Sequence, residues 1–295
     1  MNKLKILLLG CEGQVGWELQ RSLAPLGEVV AFDRNLDLTQ PEALAEAVRT
    51  IAPNVIVNAA AHTAVDKAES EPDVARAINA TAVGVLAEEA QRLGAWLVHY
   101  STDYVFNGSG TQPWKEDDIP NPLNTYGQTK LEGERLLAER CQRHLIFRTS
   151  WVYAARGGNF AKTMLRLAGE RELMQVINDQ FGAPTGAELL ADVTAHAIRS
   201  VLPNGCTDKE GDAKAGIYHL VASGETTWFD YANFVVSHKE NKIVKELRPV
   251  PTTAFPTPAK RPHNSRLDTS KLQTTFGLTL PDWQVGVARM LKEIA

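Results

Sequence analysis

Tyr126 and Lys130, in the stretch "NTYGQTKLEGE", lie four residues apart, a spacing that places both side chains on one face of a helix. A tyrosine can donate a proton to an oxygen that gains negative charge, and a lysine one turn away can favour the phenolate. The Tyr-x-x-x-Lys pattern also arises freely by chance, so the first turn of a solvated helix is the better explanation of the pair alone. A catalytic interpretation needs support from elsewhere in the chain.

A glycine loop near the N-terminus gives such support. "LLLGCEGQVG" places Gly10, Gly13 and Gly16 between an apolar run and a helical pattern, where backbone N–H groups can approach a pyrophosphate. The G-x-x-G-x-x-G spacing by itself is weak evidence for a dinucleotide site. Asp33 ends the next apolar run, where an acid can bind the adenosine ribose. A glycine turn and an unrelated surface acid explain the features less well than a dinucleotide site does.

The sequence leaves the choice of dinucleotide open. Asp33 favours NAD, whereas the adjacent Arg34 could hold the 2′-phosphate of NADP, so both NADH and NADPH are permitted. Asp37 and Leu38 could line the adenine. A helix N-cap at Thr39 explains their stretch, "LDLT", at least as well.

Two further candidate segments follow the third and fourth apolar runs. Ala59–Thr63 is rich in small residues, against which a flat cofactor could lie, although close helix packing is compatible with the same residues. His62 has no acid partner nearby, which disfavours a catalytic role. Thr102 and Asp103 follow "WLVHYS", where the hydroxyl could donate to a substrate oxygen. A polar turn that ends a strand is the alternative.

The elements that must position these residues alternate between strands and helices. This pattern predicts a doubly wound α/β fold of the Rossmann type, a parallel sheet covered by helices on both faces, with sites at the carboxyl ends of its strands. The predicted strands are Ile6–Leu9, Val29–Phe32, Val55–Val57, Trp96–Tyr100 and Leu145–Arg148. The predicted helices are Val15–Leu23, Pro41–Ile51, Asp73–Leu93 closed by Gly94, and one that holds Tyr126 and Lys130.

The alternation of predicted strands and helices is less regular in the second half of the chain. We predict a dinucleotide-binding core in residues 1–150, to which part of 186–220 returns, and a smaller, mainly substrate-binding C-terminal lobe in 151–295. The polar segment 203–216 reads as a loop, and the proline-rich segment 250–266 reads as extended. Plain linkers and a lobe that closes over a ligand explain these two segments equally well.

Composition excludes several classes of protein. The 295-residue chain has a net charge of −4 and no Lys/Arg run, which disfavours a nucleic-acid polymer as partner. Cys11, Cys141 and Cys206 match neither a disulfide framework nor a zinc pattern, as suits a reducing compartment. "MNKLKILLLGC" is similar to a lipoprotein signal, but the apolar run Ile6–Leu9 is too short for one or for a membrane span. We expect a cytoplasmic protein.

The order of these motifs resembles the extended short-chain dehydrogenase/reductase superfamily. Further stretches are similar to those of the dTDP-4-dehydrorhamnose reductase family and span nearly the whole chain: "NAAAHTAVDKAE", "STDYVFNG", "PLNTYGQTKLEGE", "RTSWVYA", "NFAKTMLRLA", "VINDQFGAPTGAELLAD" and "RPHNSRLD". Segment 203–216 carries no motif. The resemblance implies reduction of the C4 ketone of dTDP-4-dehydro-L-rhamnose by NADPH or NADH, the last step of dTDP-L-rhamnose synthesis for cell-surface polysaccharides.

The resemblance also implies roles for individual residues. Tyr126 would donate the proton, Lys130 would bring the pKa of Tyr126 closer to neutrality and bind the nicotinamide ribose, and Thr102 would donate to the same substrate oxygen. The cofactor residues implied by the resemblance and by the motifs are Gly10, Gly13, Gln14, Val15, Gly16, Asp33, Arg34, Asp37, Leu38, Ala61, His62, Thr63, Tyr100, Tyr126 and Lys130. The substrate residues are Thr102, Asp103, Tyr126, Trp151, Arg261 and Arg266, with the two arginines at the diphosphate or nucleotide.

A metal and a partner subunit are further implications. Members of the family are associated with magnesium at a dimer contact, and Glu18, Glu188 and Glu293 are carboxylates that could serve in a homodimer. Solvated helix faces explain the three glutamates better, because no stretch resembles a dedicated cation site.

Four alternative functions remain to be compared. A 4,6-dehydratase of this superfamily carries Asp-Glu after the threonine, whereas this chain has Asp103-Tyr104 and lacks the elimination base. An epimerase would retain its NAD through the cycle. A non-catalytic regulatory subunit would have lost the threonine, tyrosine or lysine, and all three are present. A hydrolase is disfavoured because no nucleophile elbow is evident.

Overall fold

Strands and helices alternate along the first half of the chain in a computed structural model that describes residues 4–202 and 208–294. The strands in this part of the chain are β1 (Lys5–Leu9), β2 (Glu28–Phe32), β3 (Val55–Asn58), β4 (Trp96–Thr102), β5 (His144–Thr149), β6 (Val152–Tyr153), β7 (Leu173–Ile177), β8 (Phe181–Gly182), β9 (Thr185–Gly186), β10 (Gly216–His219), β11 (Thr226–Thr227) and β12 (Glu246–Val250). The helices are α1 (Gln14–Leu23), α2 (Pro41–Ile51), α3 (Val65–Ser70), α4 (Pro72–Arg76), α5 (Ala82–Leu93), α6 (Thr125–Arg140), α7 (Phe160–Ala168), α8 (Ala187–Val201), α9 (Asp208–Asp212), α10 (Trp228–Ser237), α11 (Ser270–Phe276) and α12 (Trp283–Glu293). Short 3-10 turns span Asp103–Val105 and Thr252–Ala254.

One parallel sheet has the strand order β10-β5-β4-β3-β1-β2. Alternate side chains of β1 pack on opposite faces: Ile6 and Leu8 lie with buried residues of α1 and α8, whereas Leu7 and Leu9 lie with those of α2 and α5. Apolar residues fill both faces because helices cover both. The predicted doubly wound parallel fold is therefore confirmed.

The sheet order creates a crevice beside β1. The chain leaves β1 towards β2 on one side and then crosses back to β3 on the other side, so the connections that follow β1 and β3 diverge. Ligands of doubly wound folds bind at such a switch point, outside the carboxyl ends of the strands.

A second group of buried apolar side chains lies in the C-terminal half. It includes Met164 of α7, Tyr231 of α10 and Trp283 of α12, and the two-stranded pairing of β7 with β12 borders it. The strand β10, which lies within the predicted returning segment 186–220, pairs in parallel with β5. The predicted boundary near residue 150 remains a prediction.

The predicted helix Asp73–Leu93, closed by Gly94, is observed with a π-helical turn inside it. α4 and α5 are separated by a π-helical turn, Ala77–Thr81, which carries Asn79. The Asn79 side chain accepts from the His62 N–H (2.9 Å) and donates to Thr129 Oγ1 (3.2 Å), so the turn ties the loop after β3 to α6. Such turns commonly occur at functional sites.

Other differences from the expected elements are small. β4 continues to Thr102, two residues beyond its predicted end. Part of the segment expected to be a loop forms α9, whereas residues 203–207, including Cys206, lie outside the described residues. Among the described helices, none has the length and apolar character that crossing a bilayer requires.

Candidate active site

A cleft of about 1110 Å³ lies at the carboxyl ends of β1, β3 and β4. It brings together most of the residues that the sequence analysis selected: Gly10, Gly13, Gln14, Val15, Asp33, Arg34, Asp37, Leu38, Ala61, Thr63, Tyr100, Thr102, Asp103, Tyr126, Lys130 and Trp151. The lining that the structure describes does not include Gly16, His62, Arg261 or Arg266.

The glycine loop fits a dinucleotide. Gly10 has a φ of 78°, and a Cβ at this position would lie 2.7 Å from the Ala60 nitrogen, so a side chain is excluded for both reasons. α1 begins after Gly13, and in the described structure no side chain caps it. Its free N–H groups and the positive end of its dipole are therefore available to a pyrophosphate.

Gly16 lies outside the described cleft lining and has a packing role, and its predicted contact with the cofactor remains a prediction. A Cβ on Gly16 would lie 1.9 Å from the Gly10 carbonyl oxygen, so its lack of a side chain allows α1 to approach the loop. Close approach of helix and strand is a known use of the third glycine in such loops.

The adenine end of the cleft contains Asp33, Arg34 and Asp37. Asp37 accepts hydrogen bonds from the N–H and the hydroxyl of Thr39, both at 2.8 Å, and these bonds lower the pKa of Asp37. Thr39 is not the N-cap of α2, because Gln40 occupies that position. Within the described chain, Arg34 is exposed and has no hydrogen-bond or ion-pair partner. Its guanidinium is thus free to meet an anion.

The candidate catalytic residues meet at the cleft floor. Asn124 caps α6 by accepting from the Gly127 N–H at 2.8 Å, which fixes Tyr126 and Lys130 in the first turns of the helix. Thr102 ends β4, where its hydroxyl donates to Asp103 Oδ1 and accepts from the Tyr104 N–H, each at 3.1 Å. The edge of the Tyr104 ring packs on Tyr126, with centroids 5.7 Å apart.

Lys130 is held by β4. Its Nζ donates to the Tyr100 carbonyl oxygen at 2.5 Å and lies 3.1 Å from His99 Nε2. Burial lowers the pKa of Lys130 to about 8, against the opposing charge of Glu134. Tyr100 contacts Lys130 through its main-chain carbonyl, whereas its hydroxyl forms a 2.6 Å hydrogen bond with Thr194.

The expectation that Lys130 lowers the pKa of Tyr126 is wrong. Burial raises the pKa of Tyr126 to about 12; the Thr102 hydroxyl lowers it and the Asp103 carboxylate raises it further. Desolvation penalises the phenolate more than any neighbour favours it. Tyr126 consequently keeps its proton at neutral pH.

Asp103 is a buried carboxyl beside the candidate proton donor. Burial raises the pKa of Asp103 to about 7, although the hydroxyls of Ser265 and Thr102 lower it. Its Oδ2 is buried and has no hydrogen-bond partner among the described residues. A substrate hydroxyl would satisfy this oxygen.

We expect Asp103 to make stability pH-dependent. Between about pH 4 and about pH 7, folded Asp103 binds a proton that the unfolded chain has released, so its contribution to the free energy of unfolding falls as pH rises. Asp103→Asn removes this term, and the variant should gain stability relative to the wild type from pH 4.5 to pH 8 in urea unfolding. Asp117→Asn, at an exposed position, is the control and should show no such gain. If the free energies of unfolding of Asp103→Asn and wild type changed with pH in parallel, the raised pKa of Asp103 would be contradicted.

One wall of the cleft is aromatic. Trp151 has a φ of 49° and stacks on Trp228 with centroids 3.7 Å apart. A Cβ on Gly182 would lie 2.8 Å from the Trp151 ring, so this glycine makes room for the indole. Trp228 lines the cleft beside Trp151 and forms with it a flat apolar surface.

The predicted substrate arginines are engaged by acids outside the cleft lining. Arg261 donates to Asp66 at 2.7 Å, whereas Arg266 donates to Glu225 at 2.6 Å and lies over the Phe181 ring. Their predicted diphosphate role remains a prediction. His62 is also outside the described lining, and its main chain is hydrogen-bonded to the Asn79 side chain.

Within the described residues of the single chain, Glu18, Glu188 and Glu293 do not form a metal site by themselves. Among the described residues, no group of three or more His, Cys, Asp or Glu side chains is arranged to hold a metal ion. Glu18 and Glu188 instead pair with Arg21 and Arg289, at 3.4 and 3.5 Å. Their charges still interact with one another, because Glu18 and Glu293 add to the burial that raises the pKa of Glu188. The metal prediction is not supported.

Several lining residues were missed by sequence reasoning. They include Glu12, Tyr104, Thr149, Ser150 and Trp228. Thr149 and Ser150 follow a predicted strand, as Ser101 does, and this position could have indicated them. Their hydroxyls are buried without a partner in the described chain, so they are available to a ligand. No local sequence pattern predicts that Trp228 lines the cleft.

Comparison with known proteins places this site in a family. Residues 4–295 match the family model described as "RmlD substrate binding domain". The dTDP-4-dehydrorhamnose reductase of Escherichia coli (strain K12) is 62% identical, over 99% of this chain and 98% of that protein. Two solved dTDP-4-dehydrorhamnose reductases superpose with TM-scores of 0.90, each covering 99% of both chains. One is from Clostridium acetobutylicum ATCC 824, at 36% identity, and the other is from Bacillus anthracis str. Ames in complex with NADP, at 35% identity. The resemblance drawn from the motifs is confirmed, and the chain belongs to the RmlD substrate binding domain family, the family of its dTDP-4-dehydrorhamnose reductase relatives.

Proposed function

We propose that this chain reduces the C4 ketone of dTDP-4-dehydro-L-rhamnose with NADPH or NADH and so produces dTDP-L-rhamnose, the last step in making this precursor of cell-surface polysaccharides. The observation that carries the proposal is one cleft in which Thr102, Tyr126 and Lys130 lie beside the glycine loop. The names of the relatives and the NADP in the Bacillus anthracis structure support the substrate and the cofactor.

A bound reduced nicotinamide would supply the hydride. Negative charge then grows on the substrate carbonyl oxygen, and Tyr126 donates a proton to it. Because burial raises the pKa of Tyr126 to about 12, the tyrosine is in its donor form at neutral pH, and its phenolate readily regains a proton from water. Thr102 gives a second hydrogen bond once its hydroxyl turns from Asp103 to the substrate.

The remaining side chains bind and orient the cofactor and the substrate. Lys130 would hold the ribose hydroxyls of a bound cofactor, and Asp33 with Arg34 would hold its adenosine end. Asp103 accepts from a sugar hydroxyl, and Trp151 with Trp228 forms the flat wall beside the sugar. We assign cofactor binding to residues 1–150 with part of 186–220, and substrate binding mainly to 151–295.

We also propose a cytoplasmic homodimer. Cys11 and Cys141 are free thiols, as suits a reducing compartment. Light scattering during size-exclusion chromatography should give twice the chain mass, and a monomer at micromolar concentration would contradict the dimer.

A spectrophotometric assay tests the reaction. Purified protein should oxidise NADPH or NADH only when dTDP-4-dehydro-L-rhamnose is present, and the cofactor should exchange freely. Absence of oxidation with either nucleotide would refute the function. Cofactor that stays bound through purification and turnover would indicate an epimerase instead.

Arg34 should determine the preference for NADPH. Its exposed, unpartnered guanidinium would bind the 2′-phosphate, and loss of such a charge-assisted hydrogen bond costs about 1.5–3 kcal/mol in affinity. We expect Arg34→Ala to weaken NADPH binding at least about tenfold and to leave NADH binding within about twofold, measured by fluorescence titration. Equal weakening of both nucleotides would show that Arg34 does not read the 2′-phosphate.

A further inference from the structure

Asn124, the N-cap of α6, forms a second hydrogen bond that capping does not require. Its Oδ1 accepts from the Gly127 N–H at 2.8 Å, and its Nδ2 donates to the main-chain carbonyl of Lys260, also at 2.8 Å. Lys260 lies 136 residues further along the chain, in the proline-rich segment 250–266. Asn124 is 4% exposed, so bulk water does not compete for either bond. The candidate site described above uses only the first bond.

Both partners fix the orientation of the Asn124 amide. A main-chain N–H only donates and a carbonyl only accepts, so the amide oxygen faces Gly127 and the amide NH₂ faces Lys260. Aspartate and serine cap helices about as well as asparagine does. An ionised aspartate has no donor, however, and the single oxygen of serine cannot occupy both positions. The second bond therefore requires the amide.

The neighbours of Lys260 are bound to α3. Asp66 accepts from the Ala259 N–H at 3.2 Å and from Arg261 at 2.7 Å. Residues 255–263 form neither helix nor strand, so contacts of this kind hold them in place. Asn124 and Asp66 together attach three successive residues of the proline-rich segment to α6 and α3.

The same segment meets residues of the cleft. Burial raises the pKa of Asp103, and the nearby Ser265 hydroxyl lowers it. Burial and the charge of Asp103 raise the pKa of Tyr104, whereas the charge of Arg261 lowers it, so the guanidinium lies within electrostatic reach of Tyr104. Tyr104 lines the cleft and packs on Tyr126. The Nη1 of Arg261 is buried and has no hydrogen-bond partner among the described residues. A shift of the segment would therefore disturb the surroundings of Tyr126.

We propose that Asn124 is a positioning residue that ties the proline-rich segment to the helix of Tyr126, so that the segment and the proton donor keep one geometry. The importance of this bond for turnover rests on the proposed reductase function. The attachment itself is measurable in the free protein.

Two variants remove the donor and keep the cap. Asn124→Asp and Asn124→Ser both place an oxygen where it can accept from the Gly127 N–H, and neither offers an NH₂ to Lys260. Amide hydrogen exchange, resolved by residue with NMR, measures the attachment. We expect the Ala259 amide to exchange about fivefold faster in both variants, because one hydrogen bond that holds the segment is lost. Residues 127–130 should exchange as in the wild type, because the cap is retained.

Asn121→Asp is the matched control. It adds the same charge as Asn124→Asp at an exposed position three residues earlier, and it should change neither the exchange nor the kinetics. If Asn124 only caps α6, both Asn124 variants should behave as the wild type. Unchanged exchange at Ala259 in both variants would thus refute the proposal, and so would faster exchange confined to residues 127–130. The wild type offers a test without any variant, since rapid exchange of the Asn124 side-chain NH₂ would also refute the bond to Lys260.

Steady-state kinetics test the consequence for the reaction. We expect kcat/KM for dTDP-4-dehydro-L-rhamnose to fall about five- to tenfold in both Asn124 variants, and the Kd of NADPH to stay within about twofold of wild type. An unchanged kcat/KM would overturn the positioning role. If the protein failed to reduce this substrate at all, the exchange measurements would still decide whether Asn124 holds the segment, so the failure of either proposal is recognisable.

Discussion

Tyr126→Phe should lower kcat by at least about two orders of magnitude, within the range of about 10²–10⁴ that a positioned general acid contributes. Phenylalanine keeps the ring that packs on Tyr104 and removes only the hydroxyl that donates the proton. Water replaces a buried donor poorly, because the donor must be in place as charge grows on the substrate oxygen. Initial rates under saturating cofactor and sugar nucleotide measure the effect.

Tyr104→Phe is the matched control. Its hydroxyl belongs to the same cleft and its ring contacts Tyr126, but the mechanism assigns it no proton. We expect less than a tenfold loss of kcat for this variant and an unchanged NADPH affinity for both variants. A rate near that of wild type for Tyr126→Phe, or equal losses in the two variants, would remove Tyr126 from its assigned role.

The parts of the site that the sequence predicts are those fixed by local chain geometry. The glycine loop and Asp33 each follow a strand directly, Thr102 is the last residue of one, and parallel strands end at one edge of the sheet. Their convergence in one cleft can therefore be predicted once the strands are identified in the sequence. Tyr126 and Lys130 required one further fact, the N-cap at Asn124 that starts their helix.

The features that sequence reasoning missed depend on contacts between distant segments. Trp228 reaches the cleft from α10, 77 residues after the Trp151 on which it stacks, and no periodicity encodes that contact. The pKa of Tyr126 does not follow from the sequence for the same reason: spacing places Lys130 nearby, whereas burial by several segments raises the pKa. The sequence places His99 in a buried strand, and only the fold brings it against Lys130.

The helix that carries Tyr126 and Lys130 is attached to the sheet by a buried ion pair. Glu134 accepts two hydrogen bonds from Arg148 of β5, at 2.9 and 2.7 Å, and both side chains are 2% exposed. The Arg148 guanidinium also lies 5.1 Å from the centroid of the Phe106 ring. Two charges removed from water are tolerated there only because each satisfies the other.

Glu134→Ala should consequently destabilise the protein by about 3–5 kcal/mol, because it leaves the Arg148 charge buried without a counter-charge. Glu132→Ala is the control on the same helix: Glu132 meets Arg76 at 3.1 Å, but both side chains are about half exposed, and such pairs contribute at most about 1 kcal/mol. The change from glutamate to alanine alters helix propensity equally in both variants, so the difference between them isolates burial. Urea unfolding measures both. Equal losses would mean that Arg148 finds water or another partner once Glu134 is gone, and that α6 is held to the sheet mainly by its apolar contacts.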